Sequence, residues 1–265
     1  MTDARIPPLR YLKMCVQSFL GWVTVIVSTA FFATLIIIIS FFDKSGRIGH
    51  AFGTRNWGRS ILFMVGVRTK VRGLENLDPE KTYIIAANHV SNFDILTISA
   101  HLPLQFRWVA KKELFRIPLM GQGMKRVGYV EIDRQNKEKA WAHLFEARSK
   151  LEEGFSLMFF PEGTRSPDGE IKRFKPGAFV LAIHTGLPVL PITIVGSHEI
   201  MRKRSLLFQP GTVELVIHPP ISPSGFTIAR KHEFAEVVRD QIAAELEKSR
   251  SERHTAARRS QGEAR

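Results

Sequence analysis

The sequence is poor in cysteine, and Cys15 is the only one among its 265 residues. A single thiol forms no internal disulfide bond and no thiolate metal cluster, and this fits a reducing compartment. Two histidines separated by three residues, a common zinc-binding pattern, do not occur, and neither does the Gly-x-Ser-x-Gly elbow of hydrolases. The glycine-rich phosphate loop of nucleotide hydrolases is absent as well. We therefore expect no metal ion, no cofactor and no covalent intermediate.

Acidic residues are also scarce. The chain has 25 aspartates and glutamates against 38 lysines and arginines, which leaves a formal net charge of +13. Such an excess predicts an anionic partner, and nucleic acid, anionic lipid, a phosphorylated substrate and an acidic carrier protein all qualify. The length allows one large domain or two small ones.

No charged residue occurs between Val16 and Phe42. As a helix with about 1.5 Å per residue, this run would be about 40 Å long, which exceeds the ~30 Å hydrocarbon core of a bilayer. A signal peptide would have an apolar core about half as long and a small-residue cleavage site. The run therefore predicts a membrane anchor.

Basic residues lie on both sides of this run, which conflicts with a simple span because basic flanks prefer the cytoplasm. A second segment carries apolar residues on one helical face and arginines on another, which is typical of an amphipathic helix. The hypothesis we prefer is that residues 1–68 form two helices that dip into one leaflet and return. A tilted single span with a short basic tail outside is the alternative. The residues concerned are Arg5, Arg10, Lys13, Lys44, Arg47, Arg55 and Arg59 on the basic flanks, and Trp57, Ile61, Met64 and Val65 on the apolar face.

From about Thr69, short apolar runs rich in β-branched residues alternate with segments of helical period. This alternation predicts an α/β domain over 69–248, with a mostly parallel central sheet flanked by helices. The tail over 249–265 is basic and contains no apolar residue larger than alanine, so we predict a disordered cationic segment. The predicted strands are 69–72, 82–88, 106–110, 127–132, 155–160, 189–195 and 212–218, and the predicted helices are 92–101, 112–125, 136–153, 176–186 and 228–249.

A histidine and an aspartate stand five residues apart where a predicted strand gives way to a predicted helix. The apolar run 83–87 leads to His89, and Asp94 falls in the first turn of the helix that follows. A continuous helix would rotate the two side chains roughly 140° apart, so they meet only if the chain bends between them. A histidine held by a carboxylate is an oriented general base. A surface histidine beside a helix-capping aspartate is the alternative.

A second polar loop, Phe160 to Ser166, follows the apolar run 155–160. In an open α/β sheet, ligands bind outside the carboxyl ends of the strands, so this loop and His89 are expected to face one site. Gly163 allows close approach of the backbone, and the guanidinium of Arg165 matches phosphate. Glu162 can accept a hydrogen bond from a substrate hydroxyl or hold Arg165. A structural turn with a Glu–Arg pair remains the alternative.

Other basic residues follow predicted strands or precede helices. Arg134 and Lys111 are candidates for phosphate binding. A pair with Asp133 or with Asp168 is the alternative for Arg134, and a solvated surface position is the better explanation of Lys111 taken alone. Lys172, Arg173 and Lys175 precede a predicted helix, where anions often bind. The apolar segment 187–192 contains two prolines, which predicts an edge strand or the wall of a groove.

Four stretches in this order resemble the motifs of the glycerolipid acyltransferases, above all the bacterial 1-acyl-sn-glycerol-3-phosphate acyltransferases. The resemblance covers roughly residues 50–220, and the hydrophobic N-terminal helices also fit it. The stretches are His89-x-x-x-x-Asp94, Ile-Asp-Arg ending at Arg134, Phe160-Pro-Glu-Gly-Thr-Arg165 and Pro188-Val-Leu-Pro191.

The resemblance implies direct acyl transfer from acyl-CoA or acyl carrier protein to the sn-2 hydroxyl of lysophosphatidic acid, which gives phosphatidic acid. It implies that His89, oriented by Asp94, is the general base and that backbone amides around Gly163 bind the oxyanion. Arg165, with Arg134 or Lys111, would bind the phosphate, and Glu162 and Thr164 would complete the substrate site. The enzyme would work on the cytoplasmic face of the inner membrane, attached to anionic lipids.

Two alternatives keep part of this pattern. An acyltransferase for another lysolipid, such as a lyso-ornithine lipid or a lysophospholipid, would share the motifs. A non-catalytic binder of anionic membranes would need the basic and apolar faces but not His89 with Asp94. The anchor, and the lack of basic residues interleaved with exposed aromatics, argue against a nucleic-acid partner.

Overall fold

The computed structural model describes residues 7–133 and 147–262, which form a seven-stranded sheet flanked by helices. Neighbouring strands run parallel except for the antiparallel pair β6–β7, and this confirms the predicted mostly parallel α/β fold. The strand order is β1-β7-β6-β2-β5-β3-β4. The strands are β1 Val67–Arg72, β2 Ile84–Ala87, β3 Phe106–Lys111, β4 Val130–Ile132, β5 Ser156–Phe159, β6 Val189–Val195 and β7 Gly211–Ile217.

Helices cover both faces of the sheet, so its central strands are buried on both sides. Every residue of β2 and β5 is buried, which is why these strands appear in the sequence as continuous apolar runs. One core contains residues of α2 and α3, and the other contains residues of α5, α7 and the helical segment 147–152. The α-helices are α1 Pro8–Ile39, α2 Arg55–Met64, α3 Phe93–His101, α4 Met120–Val127, α5 Gly177–Thr185, α6 Ser197–Ile200 and α7 Lys231–Gly262.

One predicted helix is broken in the structure. The segment 112–125 forms a 3-10 helix, Lys112–Arg116, and then the separate helix α4. Pro118 explains the break, because proline lacks an amide hydrogen and disfavours helical geometry in the residue before it. Ile117 is accordingly extended, with ψ 124°. Most of the predicted helix 136–153 lies outside the described residues, and the part at 147–152 is helical.

The prediction that the proline-containing segment 187–192 forms an edge strand is wrong. It begins β6, which lies inside the sheet between β7 and β2. Pro191 accepts a hydrogen bond from the amide of His218 at 3.0 Å, whereas its own nitrogen donates none. An interior strand tolerates this proline because the regular β6–β7 pairing starts only at Ile192.

Helix α1 forms an antiparallel hairpin with the π-helical turn Gly49–Thr54 and α2. The indole of Trp57 donates to the hydroxyl of Thr29 at 3.0 Å, and Gly53 faces Ile36 near the other end of the pair. α1 also packs on α4. Among the described helices, α1 is the one long and apolar enough to cross a membrane. Its free face exposes many large apolar side chains, including Leu12, Phe19, Leu20, Ile26, Val27, Phe31 and Ile38.

The turn of this hairpin is fastened to the sheet by a buried arginine. Arg107, on β3, is fully buried, and its guanidinium lies 3.6 Å from the centre of the Phe155 ring. It donates to the carbonyl of Ser45 at 3.1 Å, and Arg47 in the same turn donates to the carbonyl of Glu153 at 2.9 Å. The hairpin is therefore attached to the α/β domain at its turn as well as along its length.

The tail differs from the prediction of disorder after Lys248, because α7 continues to Gly262. Arg250 donates to the carbonyl of Gly169 and pairs with Glu170 at 2.8 Å. Arg253 donates to the carbonyl of Thr212 at 2.6 Å. Two of the basic residues in the segment predicted to be disordered, Arg250 and Arg253, thus bind loops of the domain, and these contacts stabilise the helix beyond residue 248.

Candidate active site

His89 and Asp94 meet as the spacing predicts. The chain leaves β2, turns through residues 88–92 and enters α3, with Asp94 in its first turn. The imidazole Nδ1 lies 2.8 Å from Oδ2 of Asp94, and the carboxylate side chain is fully buried. Nδ1 is therefore the protonated ring nitrogen in a neutral imidazole, and the lone pair of Nε2 is available as a base.

Asp94 is itself held by the loop that it organises. Its Oδ2 also accepts hydrogen bonds from the amides of Val90 and Ser91, at 2.7 and 2.8 Å. Three donors on one oxygen fix the carboxylate, and the carboxylate in turn fixes the imidazole.

The ring of Phe160 supports the imidazole from the side. The two rings are stacked, with centroids 3.9 Å apart and an interplanar angle of 11°. Phe160 rests in turn on Trp108, with centroids 5.4 Å apart. The side chain of His89 is 13% exposed, so the stacked ring remains accessible to a reactant.

Glu162 binds the backbones of two loops rather than an arginine. Its Oε1 accepts from the amide of His89 at 2.7 Å, and its Oε2 accepts from the amide of Lys172 at 3.1 Å. Burial raises the pKa of Glu162 to about 7, although both amide donors favour the charged form. The amide of Ser166 donates to the carbonyl of His89 at 2.9 Å, so both backbone polar groups of His89 are held by the loop 162–166.

Gly163 allows the turn of this loop. Its φ is +76°, a conformation that side-chain-bearing residues rarely adopt, and its amide donates to the carbonyl of Phe160 at 3.0 Å. This amide is used within the turn, which limits the predicted role of Gly163 in binding an oxyanion. A Cβ at this position would lie 3.0 Å from Nζ of Lys175. Gly163 therefore leaves space for the lysine beside the loop.

Positive charge is concentrated around Thr164 and Arg165. The ammonium groups of Lys172 and Lys203 both donate to the carbonyl of Arg165, at 3.4 and 2.7 Å, and Lys203 also donates to the hydroxyl of Thr164 at 3.3 Å. Desolvation and the charges of Lys172, Arg204 and Arg165 lower the pKa of Lys203. Within the described part of the chain, Arg165, Lys172 and Lys203 form no ion pair with a carboxylate, so the cluster is suited to an anion.

Lys203 was missed in the sequence, where only the basic run Arg202 to Arg204 pointed to it. Of the two other predicted phosphate ligands, Lys111 lies exposed at the end of β3 and pairs with Glu113 at 3.3 Å. β3 neighbours β5, so Lys111 leaves the sheet at the same edge as the loop 160–166. Arg134 lies outside the described residues.

Comparison with known proteins identifies a family for the chain. The acyltransferase family matches residues 68–195. The 1-acyl-sn-glycerol-3-phosphate acyltransferase of Pseudomonas aeruginosa is 34% identical over 185 residues, which are 68% of this chain and 70% of that protein. The chloroplastic enzyme BAT2 of Brassica napus, which carries the same name, is 37% identical over 182 residues, and the chain spans about half the length of that relative (52%).

A solved structure shares the fold. The crystal structure of the 1-acyl-sn-glycerophosphate acyltransferase PlsC from Thermotoga maritima superposes with a TM-score of 0.76 and 28% sequence identity. The match covers 89% of this chain and 97% of the Thermotoga chain. On the family match, the relatives and the shared fold, the chain belongs to the acyltransferase family.

Proposed function

We propose that this protein transfers an acyl chain from acyl-CoA or acyl carrier protein to the sn-2 hydroxyl of 1-acyl-sn-glycerol-3-phosphate. The product is phosphatidic acid. The observation that carries the proposal is the hydrogen bond between His89 Nδ1 and Asp94 Oδ2. This hydrogen bond leaves Nε2 of His89 as a base. The loop 162–166 holds the backbone of His89 and carries the cationic cluster of Arg165, Lys172 and Lys203. Family membership and the names of the relatives support the same substrate.

The transfer is a single displacement at the thioester carbon. Nε2 of His89 accepts the proton of the sn-2 hydroxyl while the hydroxyl oxygen attacks the carbonyl carbon of the thioester. The tetrahedral intermediate collapses, the C–S bond breaks, and the thiolate leaves with the bonding electron pair. The imidazolium, stabilised by Asp94, returns its proton to the thiolate or to solvent.

This scheme needs no enzyme nucleophile. The leaving thiol has a pKa near 8.5, so the thiolate departs with little assistance from an acid. Cys15 lies on α1, and the sequence lacks the Gly-x-Ser-x-Gly elbow that carries the nucleophile of hydrolases. The proposed reaction also uses no metal ion and no cofactor beyond the acyl thioester.

The cationic loop is the proposed phosphate site. The guanidinium of Arg165 matches two phosphate oxygens, and Lys172, whose ammonium group donates to the carbonyl of Arg165, adds charge. Lys111 remains a predicted contributor because it ends β3, which pairs with the strand that leads to the cationic loop, and Arg134 remains one on the sequence resemblance alone. Glu162 holds the loop against His89 and thereby sets the distance between the base and the phosphate.

We also propose that α1 lies within one leaflet, parallel to the surface, on the cytoplasmic face of the inner membrane. Contacts along one side of α1 extend from Ser18 to Ile36, so the helix rests on the domain rather than projecting from it. Its opposite face is apolar and exposed. A monotopic helix of this kind inserts to the boundary of headgroups and acyl chains, where the acceptor hydroxyl is found.

The test uses purified protein, labelled acyl-CoA or acyl carrier protein, and a panel of lysolipids that includes lysophosphatidate and lyso-ornithine lipid. We expect turnover with lysophosphatidate, and a loss of roughly 100-fold to 10,000-fold in His89→Ala and Asp94→Asn. Matched controls are His184→Ala and Asp240→Asn, which change an exposed histidine and an exposed aspartate. Undiminished turnover in His89→Ala would refute the mechanism. Faster turnover with another lysolipid than with lysophosphatidate would identify that lipid as the acceptor instead.

A further inference from the structure

One short segment touches both catalytic loops. Residues 201–208, named here the strap, follow α6 and precede β7. The carbonyl of Met201 accepts a hydrogen bond from the hydroxyl of Ser91, in the loop between His89 and Asp94, at 2.9 Å. Two residues later, Lys203 donates to the carbonyl of Arg165 and to the hydroxyl of Thr164. The beginning of the strap is therefore fixed to the loop of the general base and to the cationic loop.

The end of the same strap is fixed to α1. The indole of Trp22 donates to the carbonyl of Leu206 at 2.8 Å. The hydroxyl of Ser18 both donates to the carbonyl of Phe208 at 3.2 Å and accepts from its amide at 2.9 Å. Leu206 itself is 71% exposed next to the helix, so the strap adds an apolar side chain to the surface that α1 presents.

The strap has little freedom between these attachments. Arg204 adopts a φ of +68°, which a residue with a side chain adopts only where its surroundings impose it. The ring of Phe208 packs on Phe93 in α3, with centroids 5.7 Å apart. It also fills the space above Gly21, where a Cβ would lie 1.9 Å from the ring. A displacement of α1 at Gly21 would therefore move Phe208 and the strap.

We propose that the strap transmits the position of α1 to the cationic loop, and that Lys203 is the positioning residue that holds the hydroxyl of Thr164 and the carbonyl of Arg165. This inference rests on the proposed function, because it assigns the strap a role in binding the acceptor phosphate. Lys203 acts through the loop, because its ammonium group holds the backbone carbonyl of Arg165, the residue whose guanidinium would bind the phosphate. Insertion of α1 and Leu206 into the bilayer then fixes the loop in the conformation that binds substrate.

Two variants test the two ends of the strap. Lys203→Met removes both hydrogen bonds to the loop, and we expect KM for lysophosphatidate to rise roughly 10-fold with kcat changed less than 3-fold. Lys203→Arg keeps a donor and should restore most of the affinity. Gly21→Ala lies on α1, away from the reacting groups, and by pushing Phe208 aside it should raise KM in the same direction.

Hydrogen exchange provides a readout that does not depend on turnover. We expect vesicles of phosphatidylethanolamine and phosphatidylglycerol to slow amide exchange in both 163–166 and 201–208 of the wild-type protein. Lys203→Met should restore fast exchange in 163–166 alone, and Gly21→Ala should restore it in both segments. Because exchange requires no reaction, a protein without turnover on lysophosphatidate would refute the proposed function while leaving this coupling measurable.

Matched controls separate positioning from charge and from helix damage. Lys231→Met removes the same charge and a similar contact, the bond from Nζ to the carbonyl of Ile228 at 3.3 Å. Gly49→Ala adds a methyl group in ordinary contact with Ile36 of α1. Both controls should keep wild-type KM and exchange. The proposal is overturned if Lys203→Met raises KM without changing exchange in 163–166, or if Gly21→Ala leaves both measurements unchanged.

Discussion

The imidazole of His89 lies flat against the ring of Phe160, with 3.9 Å between centroids and 11° between planes. Asp94 holds one ring nitrogen and Phe160 blocks rotation on one face, so the outward direction of Nε2 is set by two independent contacts. In the proposed mechanism the base is thus pre-oriented before substrate binds, which reduces the reorganisation needed in the transition state.

Removing this ring should slow catalysis without preventing binding. We expect Phe160→Ala to lower kcat roughly 10-fold to 100-fold, because misplacement of a base by about 1 Å has effects of that size. Phe160→Tyr keeps the stacked ring and should retain most of the activity. Steady-state kinetics with saturating lysophosphatidate measure the effect, and an unchanged kcat in Phe160→Ala would show that stacking has no catalytic role.

The raised pKa of Glu162 predicts a pH-dependent difference in stability. The folded-state pKa of about 7 lies above the usual 4.5, so the contribution of this group to stability is full below pH 4.5 and is lost as the pH rises through 7. Relative to Glu162→Gln, the wild-type protein should lose up to about 3 kcal/mol of unfolding free energy over that range. Thermal unfolding of both proteins between pH 4.5 and 8 measures this difference. If the difference stays constant with pH, Glu162 does not have the raised pKa.

Gly163 should not accept a side chain. Gly163→Ala places a residue at φ +76°, which is about 1 kcal/mol unfavourable, and it also moves Lys175 away from the loop. We expect a several-fold increase in KM for lysophosphatidate and a small decrease in stability. Gly186→Ala is the matched control, since it has a similar φ of +69° but no atom within 4 Å of the added Cβ. Equal kinetic effects in both variants would argue against a role of the loop shape in binding.

A helix lying within one leaflet predicts that both ends of the chain are on the same side of the membrane. In a Cys15→Ser background, a membrane-impermeant maleimide should label Arg10→Cys and Arg239→Cys equally in sealed inside-out vesicles. Labelling of Arg10→Cys from the opposite side only would establish a span through the bilayer.

The proposed chemistry uses no metal ion, so chelation should leave the rate unchanged. We expect kcat and KM to stay within 2-fold after dialysis against EDTA, with labelled acyl-CoA as donor. Loss of activity that added Mg²⁺ or Zn²⁺ restores would require a metal in the mechanism.

The sequence predicted those features that depend on neighbouring residues. The strands were visible as apolar runs because a sheet covered on both faces buries consecutive residues. His89 and Asp94 could be paired because the turn between them is short. By contrast, the role of Glu162 depends on amides that belong to His89 and Lys172, and Lys203 reaches the cationic loop from a different segment. Contacts of this kind join residues far apart in the chain, and no local pattern indicates them.

Local sequence patterns gave wrong predictions where contacts with other parts of the chain determine the structure. The charges of Arg250 and Arg253 suggested a solvated tail, but carbonyl groups of the domain bind both side chains and extend α7. Pro191 suggested an edge strand, but its place at the start of the β6–β7 pairing makes it compatible with the interior of the sheet.

The attachment of the hairpin turn through Arg107 has a geometric consequence for the whole molecule. Ser45 is fastened just beyond the carboxyl end of α1, and Phe208 is bound to Ser18 in the amino-terminal half, so two separate points fix the helix on the domain and oppose its rotation. The catalytic edge of the sheet therefore stands at a constant height above whatever plane the helix occupies. A lysolipid would have to present its glycerol at that height, which makes depth in the bilayer a criterion of substrate choice alongside chemical identity.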